Sequence, residues 1–182
     1  MIVPADYAAA LADRIRAVEF DADPWPHGCL DGFFPPDVFA EFVTALPTLE
    51  YGRHGVTRKK SSALPPAVSG LCRDPGVLSA IRERWKLPDR STTWQLEVAY
   101  TGRDGLAAHC DRPDKLWSGL VYLDGDPKGT ELFDAAGRLA KVVEWRPNRL
   151  VGWTRPAQSE KHAVPKSAGR YVLLYWLMTA RI

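Results

Sequence analysis

Hydrophobic positions along this chain follow one period in the first half and another in the second. Over 5–20, Tyr7, Leu11, Ile15 and Val18 recur close to helical spacing, with Asp6 as a candidate cap. Asp23-Pro24-Trp25-Pro26-His27 breaks that helix, and 29–34 reads as a short apolar strand or turn. Pro35-Pro36 opens a second helix over 37–46, which buries Val38, Phe39, Phe42, Val43 and Leu46 and stops at Pro47. Asp74-Pro75 starts a third helix that reaches Trp85, with Val77, Leu78 and Ile81 on one face. The stretch 49–69 holds Arg53, His54, Arg58, Lys59 and Lys60 among few apolar residues. It reads as a solvated surface loop, or alternatively as a mobile basic lid over an anionic substrate.

From Thr92 the period becomes two: Trp94, Leu96, Val98 and Tyr100 alternate with Thr93, Gln95, Glu97 and Ala99. Further strands are expected at 106–111, 116–123, 130–133, 139–145, 149–153, 160–164 and 170–178. Asp124-Gly125-Asp126-Pro127, Ala136-Gly137, Pro147-Asn148 and the stretch 165–169 supply the turns between them. About eight short strands at this rhythm argue a sandwich or barrel, and a jelly roll closes eight strands without open edges. The expected class is therefore α+β: a cupin-like jelly roll (double-stranded β-helix) with N-terminal helices packed on one sheet. One domain is expected over 1–182, with 1–90 as helical support and lid loop and 91–182 as the core that carries the site.

Composition narrows the partners more than the fold. Twenty-four basic against 22 acidic side chains leave a formal net charge of +2, which gives no electrostatic case for nucleic acid or a membrane surface. Cys29, Cys72 and Cys110 are odd in number and lack CxxC spacing, so neither a disulfide framework nor a zinc site is signalled. The first 19 residues alternate apolar and charged too often for a signal peptide, and no apolar run spans a bilayer. A cytoplasmic protein is the expectation.

The chemistry concentrates in the strand-rich half. His109 and Asp111 are two residues apart, a spacing that puts both side chains on one face of a strand. His162 follows 51 residues beyond Asp111, and Arg170 eight residues later on an apolar strand. Two imidazoles and one carboxylate with open positions opposite make the facial triad of non-haem iron(II) oxygenases. The blander alternative is a pair of core or surface histidines. Arg170 would enter the barrel among Val, Leu, Tyr and Trp, where a guanidinium needs an anion; a carboxylate fits its planar fork. His27 and His54 have no such context, the first reading as packed beside Trp25 and the second as solvent-facing.

These residues, taken with their neighbours, resemble the iron(II)/2-oxoglutarate-dependent dioxygenase superfamily in its prolyl-4-hydroxylase-like branch. The match runs through Tyr100-Thr101-Gly102, His109-Cys110-Asp111, Ser118-Gly119-Leu120-Val121-Tyr122-Leu123, Gly129-Thr130-Glu131-Leu132, Arg149-Leu150-Val151-Gly152-Trp153, His162-Ala163-Val164 and Gly169-Arg170-Tyr171. It covers about the C-terminal half, with a weaker likeness over 33–47. Gly129-Thr130 departs from the Gly-Gly of many relatives. The resemblance implies that His109, Asp111 and His162 bind Fe(II). It also implies that Arg170 holds the distal carboxylate of 2-oxoglutarate as co-substrate, that Tyr122 supports that carboxylate, and that Tyr100 lines the same pocket. O2 would be the oxidant, and a C–H bond would be hydroxylated with release of succinate and CO2. Asp111 speaks against a halogenase, which lacks the carboxylate ligand.

A small molecule or peptide is the expected substrate. Cations at Arg58, Arg112, Lys115 and Arg155, in the segments flanking the expected barrel mouth, suggest that it carries an anionic group, with solubility as the competing explanation. Two other classes stay open: a cupin-like metal enzyme without 2-oxoglutarate, which leaves Arg170 unexplained, and a non-catalytic metal-binding sensor domain.

Overall fold

A computed structural model describes residues 5–54, 58–88, 92–154 and 161–179, with the backbone alone at 5, 54 and 58. Four helices are described. α1 (Ala5–Arg16) ends earlier than the periodicity suggests, because Phe20 and Asp21 leave it to form strand β1 (Phe20–Asp21) against β2 (His27–Leu30). α2 (Pro36–Ala45) opens at the expected proline pair and runs into a short 3-10 turn, Leu46–Thr48. α4 (Pro75–Arg84) starts at Asp74, whose carboxylate accepts hydrogen bonds from Gly76 N at 2.9 Å and Val77 N at 3.1 Å. Those two bonds satisfy donors that a helix start otherwise leaves open.

The stretch expected as a loop is not one. It contains β3 (Gly52–His54), β4 (Arg58–Ser61) and α3 (Pro66–Cys72). β4 pairs antiparallel with β5 (Thr92–Thr101), so the basic segment extends a sheet instead of floating over it. Its polar side chains disguised a strand whose outer neighbour is only the short β3. The remaining strands are β6 (Leu106–His109), β7 (Lys115–Gly125), β8 (Thr130–Phe133), β9 (Leu139–Val143), β10 (Leu150–Thr154), β11 (Lys161–Val164) and β12 (Arg170–Thr179).

All pairings are antiparallel. They build a large sheet in the order β1-β2-β10-β7-β12-β5-β4-β3 and a small one in the order β6-β11-β8-β9. Side chains alternate across the large sheet. Leu173, Tyr175 and Leu177 of β12, with Trp117 and Val121 of β7, join the helices in one buried cluster. Val172, Leu174 and Trp176, with Leu120, Tyr122, Val151 and Trp153, join Leu132 and Val143 of the small sheet in a second. Helices thus cover one face of the large sheet and the small sheet covers the other.

On the helix side, Trp117 is fully buried, edge-on to Trp85 at 5.5 Å and to Tyr175 at 5.4 Å. Its ring lies over two glycines: a Cβ at Gly119 would stand 2.3 Å from it, and one at Gly152 2.9 Å. No helix among the described residues is long and apolar enough to cross a membrane.

Two stability outcomes follow. Asp74→Ala should lower unfolding free energy by about 1 kcal/mol through loss of the cap. Gly119→Ala should cost about 1–3 kcal/mol by driving a methyl into the Trp117 ring. Urea unfolding followed by tryptophan fluorescence measures both, with an unchanged m-value.

Candidate active site

The site forms where the small sheet meets the inner face of the large one. β6 and β11 pair so that His162 stands directly across from His109, and the two rings lie 4.4 Å apart, tilted by 54°. Gly105 makes the entry to β6: its φ of +68° is left-handed, and a Cβ there would fall 2.3 Å from the Val164 carbonyl oxygen. Nδ1 of His109 lies 2.9 Å from the Ala107 carbonyl. A carbonyl only accepts, so Nδ1 carries the proton and Nε2 keeps its lone pair. His162 is buried, with the Trp153 ring 5.0 Å away.

Asp111 does not share a strand with His109, because β6 stops at His109 and Asp111 lies in the connection beyond. Its carboxylate is nonetheless buried and firmly held. Oδ2 accepts from Ser118 Oγ at 2.8 Å and from Trp153 Nε1 at 3.1 Å. Oδ1 pairs with Lys115 Nζ at 2.6 Å. Burial works to raise the carboxyl pKa, but the charge interactions with His162 and Lys115 and the hydrogen bonds from Lys115 and Ser118 outweigh it, bringing it down to about 2.

Arg170 is buried at the start of β12 and faces the same side of the large sheet as Val172 and Leu174. Its Nη1 donates to the carbonyls of Lys128 at 2.5 Å and Gly129 at 2.8 Å. Position 129 has no room for a side chain, since a Cβ there would stand 1.8 Å from the Val143 carbonyl oxygen. Tyr122 is fully buried and stacked on Trp145 at 4.4 Å. Its hydroxyl donates to Thr130 Oγ1 at 2.9 Å and accepts from Thr130 N at 3.1 Å.

A cavity of about 40 Å³ joins these parts, lined by His109, Asp111, Thr130, Trp153, His162 and Arg170 among others. Tyr122 does not line it, but bonds to Thr130 and has the Arg170 guanidinium 5.7 Å from its ring centre, and both of those do. Tyr100 points elsewhere: it shares the face of β5 with Leu96 and Val98, on the helix side, and packs on Tyr171 at 4.8 Å. Outside the cavity an open cleft of about 320 Å³ is lined by Lys60, Glu97, Arg112 and Met178, and it shares His109, Asp111, Lys115 and Trp176 with the cavity.

Of the four cations expected near a substrate, Lys115 lines both spaces. Arg112 is on the cleft but exposed and ion-paired with Asp114. Arg58 places its backbone on β4 opposite Thr101, its side chain lying outside the described atoms, and Arg155 lies outside the described residues. Ser118, Thr130 and Trp153 were read from the sequence only as part of the family match, and Trp176 was given no role. Ser118 carried a signal: a hydroxyl at an inward position of an otherwise apolar strand needs a partner.

Imidazole nitrogens and a carboxylate oxygen are a donor set suited to divalent iron. As the side chains stand, no group of three or more His, Cys, Asp or Glu among the described residues is arranged to hold a metal. The lysine on Asp111 is the conspicuous departure.

Comparisons agree on the fold. No protein-family model matches the chain, and no curated protein matches it. Solved structures do. A Pseudomonas putida prolyl-4-hydroxylase is similar over 96% of this chain and 100% of its own, with 17% identity and a TM-score of 0.63. HygX from Streptomyces hygroscopicus, solved with nickel, 2-oxoglutarate and hygromycin B bound, is similar over 85% of this chain and 83% of its own, with 13% identity and a TM-score of 0.62. A prolyl hydroxylase from Trichoplax adhaerens, in complex with a hypoxia inducible factor peptide fragment, is similar over 95% of this chain and 91% of its own, with 18% identity and a TM-score of 0.66. The chain therefore has the fold of the prolyl hydroxylases and other 2-oxoglutarate/Fe(II) oxygenases.

Ser118→Ala should destabilise the protein by about 2 kcal/mol at neutral pH, since it removes a hydrogen bond to a buried charged carboxylate. Chemical denaturation checks this.

Proposed function

We propose that the chain is a 2-oxoglutarate- and Fe(II)-dependent oxygenase that hydroxylates a C–H bond of a small molecule or peptide. The observation that carries this reading is the meeting of His109, His162 and Asp111 on one cavity with the buried guanidinium of Arg170, in a chain of this fold. We read the two sheets as the opposed halves of a double-stranded β-helix, and the whole of 1–182 as one domain. In this reading His109, Asp111 and His162 hold the metal. Arg170 and the Thr130 hydroxyl receive the far carboxylate of 2-oxoglutarate, and Tyr122 fixes the Thr130 hydroxyl from behind. A ferrous ion with 2-oxoglutarate and O2 supplies the oxidising chemistry, yielding succinate and CO2.

The protein residues position and exclude water. Ser118 and Trp153 hold the Asp111 carboxylate in place. The bond to Ala107 sets the His109 tautomer that leaves a nitrogen lone pair for a metal. Leu120, Val172 and Leu174 give the cavity apolar walls. The bound molecules of the similar structures, hygromycin B in one and a peptide in another, support a small-molecule or peptide substrate. The cleft beside Asp111 is where it would dock.

Anaerobic addition of Fe(II) and 2-oxoglutarate should give a weak visible charge-transfer band, lost in His109→Ala and His162→Ala. With O2 the protein should release succinate. Arg170→Gln should raise the KM for 2-oxoglutarate by about thirtyfold or more, the cost of truncating one member of a buried charged pair. No band and no succinate from the wild-type chain would remove this reading in favour of a metal protein that does not use 2-oxoglutarate.

A further inference from the structure

Lys115 stands on the boundary between the cavity and the cleft. Its Nζ is 2.6 Å from Asp111 Oδ1 and 4.2 Å from the centre of the Trp176 ring. Asp111, Lys115, Trp176 and His109 each line both spaces. Oδ2 of Asp111 already accepts two hydrogen bonds, so Oδ1 is the oxygen with room for a metal, and an ammonium occupies it. Two cations at bonding distance from one oxygen repel strongly where water is scarce. One of them has to give way.

Lys115 has a second partner besides Asp111, the Trp176 ring, which borders the cleft as well as the cavity. A lysine is a compact charge on a flexible four-carbon stem, and an aromatic face attracts it. Lys60 already uses the same Trp176 ring, 4.7 Å from its centre, and is tied to Glu97 at 2.6 Å. Lys60 and Glu97 line the cleft, not the cavity.

We propose that Lys115 is an internal counter-ion for Asp111 which an incoming metal ion displaces, and that the displaced ammonium, kept on Trp176, becomes the cleft's receptor for an anionic group of the substrate, a carboxylate or a phosphate. The proposal rests on the reading of His109, Asp111 and His162 as a metal site. Without metal, Lys115 neutralises a buried carboxylate that would be costly alone. With metal, the same charge faces the cleft, so metal loading and substrate recognition are coupled through one side chain.

Mn(II) titrations, followed by calorimetry and by the electron paramagnetic resonance signal of the free ion, test the first half. Lys115→Met and Lys115→Gln should each bind Mn(II) about tenfold more tightly than wild type. Both metal-free variants should melt below wild type, and Mn(II) should close that gap. Affinity equal to or weaker than wild type in both variants overturns the proposal, since Lys115 then only steadies Asp111. Folded wild type and variants that all ignore Mn(II) would overturn the metal-site reading itself, and the proposal with it.

For the second half the probes are inorganic phosphate and acetate. Bound Mn(II) should broaden their 31P and 13C resonances in wild type, and Lys115→Met should weaken that association at least about fivefold. Broadening by only one probe assigns the receptor to that anion. Equal broadening in wild type and variant overturns the anion site.

Discussion

The alternation of side chains along the three inner strands is the constraint on which the site depends. β7, β10 and β12 are covered on both faces, so every second residue must suit the helices and every other one the small sheet. Trp117, Val121, Leu150, Leu173 and Tyr175 meet the first demand, and Leu120, Val151, Val172 and Leu174 the second. The same parity delivers Ser118, Trp153 and Arg170 to the small-sheet side, where they share a cavity with the two histidines. A slip of one residue in any of these strands would turn its polar group toward the helices. The long registers of β12 with β5 and β7 guard against that. The glycines beneath Trp117 serve the same end, since the indole fits only where positions 119 and 152 lack a Cβ.

Much of this was legible in the chain. The ends of β8, α2 and β12 fall within a residue or two of where alternation, proline and glycine place them. What failed did so for physical reasons. The basic segment before α3 reads as loop because edge strands carry charge, as β3 and β4 do. Tyr100 was given to the pocket by resemblance, yet its own alternation with Leu96 and Val98 puts it on the helix face. The other face of β5 turns Gln95 and Glu97 to the cleft. His109 and Asp111 come together by a different route from the one the spacing suggested, since Asp111 sits past the strand end and is fixed by Ser118, Trp153 and Lys115.

The hydrogen bonds around Asp111 decide what kind of site this is. A buried carboxylate with three donors is ionised far below neutral pH, so it is always ready to act as a charged ligand. Two of its donors are neutral and placed on rigid strands, on Ser118 of β7 and Trp153 of β10. The third is the flexible lysine. Orientation and charge balance are thus supplied by different groups, and the group supplying charge is the one able to move.

Charge bookkeeping extends that point to the ligands. Around the cavity stand one carboxylate, Asp111, and two side chains with permanent positive charge, Lys115 and Arg170. That excess of positive charge is what a low-dielectric space tolerates least without an anion. A divalent metal alone would worsen it, whereas a metal arriving with a dicarboxylate adds nothing to the balance. The surplus that remains then belongs to whichever cation the metal has pushed outward. Arg170 is held deep by the carbonyls of Lys128 and Gly129 and keeps its place. Lys115 borders the cleft, so on the proposed displacement the surplus would appear there. The proposed anion receptor thus rests on the same electrostatics that would seat the co-substrate.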